Sequence, residues 1–379
     1  MDGIARAARA ALGLVALGLA VAACTGGDDD SVPSSSTVGT AQPTATAAPT
    51  VESTPSPAPT ASATTTATPE PPATATAPPT PTPTATPEPT PTEQPVEDAP
   101  ELPVTVLDVD GNQITVEDVS RLVILNGTIT EVVFALGLGD HVVGVDVTST
   151  YPPEAMELPD VGVQIALSAE GIIALQPTLV LGTTFAGPPG VIDQVRGTGI
   201  PVLIIPDYNS LQDIEEKITR IAAALGVPRR AERLAAESLA SIAGAIATAE
   251  GAEDMPRVAF IYLRGAQTQL IGGVDAGATS LIEAAGGIDV GVEAGVEGFT
   301  AITPEALVTA NPDVILVFTT GLESVGGIDG LLRIPGMAQT EAGRNRAVVD
   351  FDGQYLLGYG PRTGALLAEL IDAIYPDLR

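Results

Sequence analysis

Two stretches of the chain share one pattern: Ser168–Thr184 reads SAEGIIALQPTLVLGTT, and Thr303–Thr320 reads TPEALVTANPDVILVFTT. In each, a Ser or Thr stands two positions before a glutamate, a short apolar segment follows, and a proline precedes an apolar run. Ser and Thr are preferred N-caps, and a glutamate in the first helical turn is favoured by the helix dipole. The pattern predicts a short helix and a buried strand, repeated in two related halves of the chain.

The sequence around both stretches alternates short apolar runs with helical segments. Such alternation, with Gly and Pro at the turns, indicates βαβ units and parallel-type sheets. It stops at about residues 210–250, where apolar residues recur at helical spacing with one interruption at Gly226-Val227-Pro228, and it resumes at Arg257–Leu263. We therefore predict an α/β protein with two similar lobes, an N-lobe at about 118–208 and a C-lobe at about 256–379, joined by one long helix. The cleft between the lobes is the predicted binding site for a small molecule.

The first hundred residues differ in composition from the rest. A basic start, an apolar run and the sequence Val21-Ala22-Ala23-Cys24 resemble the signal peptide and lipobox of bacterial lipoproteins. We expect residues 1–23 to be removed and Cys24 to be lipidated; the alternative is a plain secretory peptide whose cysteine is incidental. Residues 24–99 are rich in Thr, Pro and Ala and contain few large apolar side chains. They are predicted to form a disordered tether before a folded part at residues 100–379.

Charge and residue inventory exclude several classes of function. The net charge is −31, with 16 Lys and Arg against 47 Asp and Glu, which argues against binding to nucleic acid. The single histidine, His141, opens a predicted strand and is expected at the surface. No nucleophile and base pair, phosphate-binding loop or dinucleotide fingerprint is present. We expect neither an enzyme nor a resident metal or cofactor.

Long strings within residues 121–378 resemble one family. They include ALSAEGIIALQPTLVLG, GLESVGGIDGLLRIPGMAQTEAGR and LLGYGPRTG. These strings are similar to the periplasmic binding proteins that serve haem, cobalamin and ferric-siderophore ABC importers, and the hemin-binding branch is the nearest match. The resemblance implies two α/β lobes bridged by a long helix, in a monomeric protein outside the cytoplasm. Its implied partners are an ABC permease with its ATPase, the membrane through the N-terminal lipid, and a ligand such as hemin.

The resemblance also gives a meaning to the repeated glutamate. In members of the family, a surface glutamate on each lobe docks onto arginines of the permease. Those positions match Glu170 and Glu305 here. The alternative is that each carboxylate only stabilises the start of its helix. The paired recurrence favours docking.

Several residues are predicted to border the cleft. Tyr151, Tyr359 and Arg362 lie in predicted loops at its edge, and Arg264 follows a predicted strand end. Arg362 either meets a ligand carboxylate or forms an ion pair within its own lobe.

One segment departs from the hemin-binding pattern. That branch reads G-Y-x-R-A-L-S-A-E before the first glutamate, and its tyrosine ligates the haem iron. Here the segment reads GVQIALSAE, so Val163 and Ile165 replace the tyrosine and the arginine. Either another tyrosine supplies the iron ligand or the ligand is not haem; the candidate tyrosines are Tyr151, Tyr208 and Tyr359. A corrinoid or ferric-siderophore binder, or a surface sensor without a transport role, are the alternative functions.

Overall fold

The computed structural model describes residues 99–252 and 254–376. The predictions for the signal peptide, for Cys24 and for nearly all of the tether lie outside the described residues. Within the described ranges, no helix is both long enough and apolar enough to cross a membrane.

A small hairpin precedes the first lobe. Strands β1 (Val104–Leu107) and β2 (Gln113–Val116) pair in antiparallel register. The turn between them contains Gly111, which has a φ of +82°. The Asp108 carboxylate holds this turn by accepting hydrogen bonds from the backbone N–H groups of Asp110 and Asn112.

The N-lobe is built on a parallel sheet of four strands in the order β4-β3-β7-β8. Strands β3, β7 and β8 are buried along their whole length, which explains why they read as unbroken apolar runs. A two-stranded hairpin, β5 and β6, lies outside this sheet. The elements are β3 (Leu122–Ile124), α1 (Gly127–Ala135), β4 (Val142–Val145), β5 (Gly162–Val163), β6 (Ala166–Leu167), α2 (Ala169–Ala174), β7 (Leu179–Thr183), α3 (Pro189–Gly197) and β8 (Val202–Ile205), with 3-10 turns at Gly139–His141 and Pro153–Glu157.

The C-lobe is built on a mixed sheet around β9. Strands β11 and β13 pair with β9 in parallel, and β14 continues in parallel beside β13. Strand β10 is antiparallel to β9, because a tight turn at Gly265 returns the chain along β9, and β12 pairs antiparallel with β10 at the edge of the sheet. The elements are β9 (Arg257–Arg264), β10 (Thr268–Gly272), α6 (Thr279–Ala284), β11 (Ile288–Asp289), α7 (Val290–Glu293), β12 (Phe299–Ala301), α8 (Pro304–Ala310), β13 (Val314–Phe318), α9 (Thr319–Ser324), α10 (Gly327–Leu331), α11 (Glu341–Asn345), β14 (Val348–Phe351), α12 (Gly353–Leu357) and α13 (Thr363–Ile374), with a 3-10 turn at Met337–Gln339.

The repeated unit is present in both lobes. Helix α2 leads into β7, and α8 leads into β13. Ser168 and Thr303 are the N-caps, and their hydroxyl oxygens accept hydrogen bonds from the N–H groups of Gly171 and Ala306. The helix–strand repeat predicted from the sequence is therefore confirmed.

The connection between the lobes is not one helix over residues 210–250. A 3-10 turn (Leu211–Asp213) leads into α4 (Ile214–Ala224). Gly226, with a φ of +70°, then interrupts the helical path, and α5 (Pro228–Ala249) follows. Helix α4 packs against α1 and β1, so it belongs to the N-lobe. Helix α5 spans both lobes: Arg230 donates to the carbonyl of Leu136 in the N-lobe, and α5 packs along α13 of the C-lobe. The linking helix is thus the 22 residues of α5 alone.

Candidate functional site

The carboxyl ends of the strands of both lobes meet at the lobe junction. Asn126 follows β3 and caps α1, while Asp352 follows β14 and caps α12. The two edges are joined by hydrogen bonds, since Thr150 of the N-lobe donates to the side chains of Asp352 and Gln354. Ligands of α/β proteins bind at this edge of the sheet, and the candidate site is therefore the cleft above this junction. A separate concavity of about 750 Å³, on the outside of the C-lobe near Met255, is lined by none of these residues.

The floor of the junction is an ion pair between the lobes. The Arg362 guanidinium donates to the Glu131 carboxylate at 2.7 Å, and the Glu131 side chain is only 5% exposed. The same guanidinium lies 3.5 Å from the ring centre of Tyr151 and 4.7 Å from that of Tyr355, a cation–π arrangement on both sides. The ion pair foreseen as an alternative role of Arg362 therefore exists, but it joins the two lobes instead of lying within one. In this conformation the charge of Arg362 is already compensated.

The six tyrosines of the chain differ in what their hydroxyl groups do. Four are engaged: Tyr208 with Glu216, Tyr355 with Glu369, Tyr359 with Ser280 and the carbonyl of Gly277, and Tyr375 with the carbonyl of Gly286. The hydroxyls of Tyr151 and Tyr262 make no hydrogen bond to any described residue. Only these two are free to bind a ligand.

Two of the predicted cleft tyrosines lie inside the protein. Tyr359 is 1% exposed and Tyr208 is 8% exposed. Burial raises the pKa of each phenol to about 12. The structure therefore does not offer Tyr208 or Tyr359 to a ligand, while Tyr151 remains exposed at the junction.

Tyr262 is a cleft residue that the sequence reasoning missed. It lies near the carboxyl end of β9, half-buried, on the strand face that also carries Phe260. Its ring packs edge-on against Phe299 and Phe318, with ring centres 5.7 Å and 6.1 Å away. These rings hold the phenol in place at the edge of the sheet. The sequence offers one signal for Tyr262, which is its position two residues before Arg264, a residue predicted to border the cleft. The structure places Arg264 in an exposed position.

The N-lobe wall of the site is apolar. Val163 and Ile165, in the β5–β6 hairpin, are 44% and 65% exposed, and Phe185 is 59% exposed. The hairpin is held over the carboxyl edge of β3, because the Asn126 side chain donates to that of Gln164 at 3.1 Å. The loop of Phe185 joins it through a hydrogen bond from Gly187 N to Gln164 O. A carbon surface without a donor atom thus stands where the hemin-binding pattern has a tyrosine and an arginine.

The two repeated glutamates are exposed at the first turns of α2 and α8. Neither forms an ion pair with a described residue. Glu305 borders a groove whose arginine, Arg257, is already paired with Glu293. Glu170 accepts a hydrogen bond only from its own N-cap, Ser168. Both carboxylates are therefore available to a partner.

The ring of His141 contacts the protein backbone. Its Nδ1 lies 2.9 Å from the carbonyl oxygen of Val119, and the ring is half-buried. Within the described residues, no group of three or more His, Cys, Asp and Glu side chains could hold a metal ion.

Comparison with known proteins places this geometry in a family. Residues 122–355 match the model of the periplasmic binding protein family, and the chain belongs to that family. The periplasmic heme-binding protein RhuT from Roseiflexus sp. RS-1, in apo form, is 49% identical and superposes with a TM-score of 0.67; the match covers 69% of this chain and 100% of that one. The chain is thus an ABC-type substrate-binding protein with the two-lobe fold of its haem-binding relatives.

Two curated relatives extend the range of similarity. An uncharacterized ABC transporter substrate-binding lipoprotein of Bacillus subtilis, YvrC, is 28% identical over 73% of this chain and 86% of its own length. A vitamin B12-binding protein of Pectobacterium carotovorum is 31% identical over 35% of this chain and 47% of its own length. The family resemblance inferred from the sequence is therefore confirmed.

Proposed function

We propose that this chain captures hemin, or a closely related tetrapyrrole, outside the cytoplasm and delivers it to an ABC permease. Lipidated Cys24 anchors the chain to the membrane, and residues 24–99 tether the two lobes at a distance from it. Glu170 and Glu305 dock the lobes onto the permease. The exposed and unpaired state of both carboxylates supports this role.

The observation that carries the ligand proposal is the free hydroxyl of Tyr262. Tyrosinate oxygen is an established donor to haem iron. Tyr262 stands among Phe299 and Phe318 at the carboxyl edge of β9, and its hydroxyl has no competing partner among the described residues. Phe185, Val163 and Ile165 provide an apolar surface against which a flat macrocycle can pack. The metal is then ligated from the C-lobe, and the N-lobe contacts the opposite face without a donor.

The high identity to a haem-binding protein of known structure supports the same ligand. The corrinoid alternative is favoured by a different observation, the partial match to a vitamin B12-binding protein together with the missing tyrosine at Val163. A corrinoid already carries its own lower ligand and does not need a tyrosinate from the protein. The two ligands therefore differ in their dependence on Tyr262.

The test is the absorption spectrum of the hemin complex of Tyr262→Phe. We expect the wild-type spectrum to show a ferric tyrosinate, and Tyr262→Phe to lose it with hemin affinity reduced at least about tenfold. Tyr151→Phe is the matched control, because it removes the other free hydroxyl and leaves Tyr262 intact. An unchanged spectrum in Tyr262→Phe with a lost tyrosinate spectrum in Tyr151→Phe would assign the iron ligand to Tyr151. An unchanged spectrum in both variants would exclude ligation by either tyrosine.

A further inference from the structure

Gln354 of the C-lobe is bonded to two separate segments of the N-lobe. Its Oε1 accepts from the backbone N–H groups of Thr150 and Tyr151 at 2.8 and 3.1 Å, and from the Thr150 hydroxyl at 3.0 Å. Its Nε2 donates to the carbonyls of Gly127 and Tyr151 at 2.7 and 3.3 Å, and lies 3.5 Å from the Glu131 carboxylate. One side chain thus connects the start of α1, the loop of Tyr151 and the opposite lobe.

These partners require an amide. The two N–H groups can only donate and the two backbone carbonyls can only accept, so the residue at this position must present an acceptor and a donor at once. Glutamate lacks the donor, and methionine lacks the donor and offers only a weak thioether acceptor. Gln354 is 9% exposed, so water does not replace a lost partner at low cost.

The surrounding geometry leaves little freedom at this contact. A Cβ at Gly127 would lie 2.1 Å from the Thr148 carbonyl oxygen and 2.9 Å from the Gln354 Oε1, so the lobes approach here through a bare backbone. The Asp352 carboxylate fixes the turn that presents Gln354, because it accepts a hydrogen bond from the backbone N–H of Gln354 at 3.0 Å. The buried pair of Glu131 and Arg362 adds a second connection beside it.

We infer that Gln354 is a positioning residue that sets the width of the cleft. It fixes the Tyr151 loop and the start of α1 at the junction, and so holds the apolar wall of the N-lobe at a defined distance from Tyr262. Its effect on hemin binding rests on the function proposed above. Its effect on the separation of the lobes does not depend on the identity of the ligand.

The test measures the distance between the lobes in the full chain. Spin labels are attached at Gln194→Cys on α3 and Glu323→Cys on α9, two exposed positions, in a Cys24→Ser background. We expect a narrow distance distribution in the otherwise wild-type chain and a broad one in Gln354→Met, with hemin dissociation constants at least about tenfold higher. Gln339→Met is the matched control, since Gln339 is an exposed glutamine of the C-lobe, and it is expected to change neither quantity.

A second variant separates positioning from general stability. In Gln354→Glu the new carboxylate replaces the amide beside the Glu131 carboxylate and the carbonyl of Gly127. Arg362, paired with Glu131, and the buried Lys217 are the cations that act on this carboxylate cluster. At about pH 8 the charged side chain cannot donate, and the distribution broadens. At about pH 3.5, below the ordinary glutamate pKa of about 4.3, the protonated acid donates and accepts like the amide, and the distribution returns to that of the wild type measured at the same pH. If Gln354→Met does not fold, the measurements on Gln354→Glu at the two pH values still test whether Gln354 sets the distance between the lobes.

Narrow distributions in both variants at every pH would overturn the inference. A broadened distribution with unchanged hemin affinity would overturn the link to the cleft. A wild-type chain that binds no hemin would contradict the proposed function, while the distance measurement would still decide the role of Gln354.

Discussion

Lys217, the single lysine of the chain, makes the stability of this protein depend on pH in a predictable direction. It lies on α4, is 1% exposed, and its Nζ donates to the carbonyls of Gly358 and Tyr359 at 2.5 and 3.5 Å. Burial penalises the ammonium and lowers its pKa from 10.5 to about 8, although the nearby Glu131 carboxylate opposes this shift. The lysine therefore loses its proton in the folded chain at a pH where the unfolded chain keeps it.

The size and sign of this pH dependence of the free energy of unfolding follow from proton linkage. Between about pH 8 and 10.5 the unfolded state binds more protons than the folded state, so the free energy of unfolding rises with pH. With the two pKa values of 10.5 and about 8, the contribution of Lys217 to the free energy of unfolding increases by about 2 kcal/mol from pH 7 to about 9.5. Tyr208, Tyr355 and Tyr359, whose pKa values are raised to about 12, act in the opposite direction as pH approaches 10, because the unfolded chain loses their protons first. This opposing contribution is the same in the wild type and in Lys217→Met, so the difference between the two chains reports Lys217.

Urea unfolding followed by circular dichroism measures this increase. We expect it in the wild-type chain and not in Lys217→Met, which lacks the titrating group. Arg220→Met, one turn further along α4, keeps Lys217 and should keep the full increase. Equal pH dependence in the wild type and in Lys217→Met would refute the assignment of the depressed pKa to Lys217.

Three further predictions concern the ligand, the permease and the membrane. Val163→Tyr combined with Ile165→Arg should raise hemin affinity at least about tenfold in an absorption titration, because it adds an oxygen donor and a cation to the apolar wall; unchanged affinity would show that this wall does not face the ligand. Glu170→Ala and Glu305→Ala should each reduce uptake while leaving hemin affinity unchanged, and normal uptake by the double variant would exclude docking through them. Cys24→Ser should move the protein from the membrane fraction to the soluble fraction, and retention in the membrane would contradict lipidation.

The repeated unit was predictable because it rests on local rules. Ser168 and Thr303 cap their helices as the sequence indicates, and the apolar runs after them form buried strands. The interruption at Gly226 was visible in the sequence, but its consequence was not, because only tertiary packing shows that α4 belongs to the N-lobe. The antiparallel strands of the C-lobe were not predicted, because strand direction depends on a short turn at Gly265.

The site was less predictable than the fold. Tyr262 and Tyr359 are both tyrosines beside arginines, yet one has a free hydroxyl at the sheet edge and the other is buried against Ser280 and Gly277. Gln354 has no local signal, because its partners lie more than 200 residues away. Arg362 lies at the junction, and its partner, Glu131, could not be identified from the sequence because it is a residue of the other lobe.

Hemin binding in the cleft is measured by titrating the purified full chain with hemin and, separately, with cyanocobalamin. The two ligands are followed by absorption and by isothermal titration calorimetry. We expect one saturable hemin complex with a ferric tyrosinate spectrum and much weaker binding of cyanocobalamin. Tight binding of cyanocobalamin with no saturable hemin complex would contradict this expectation and assign the cleft to a corrinoid.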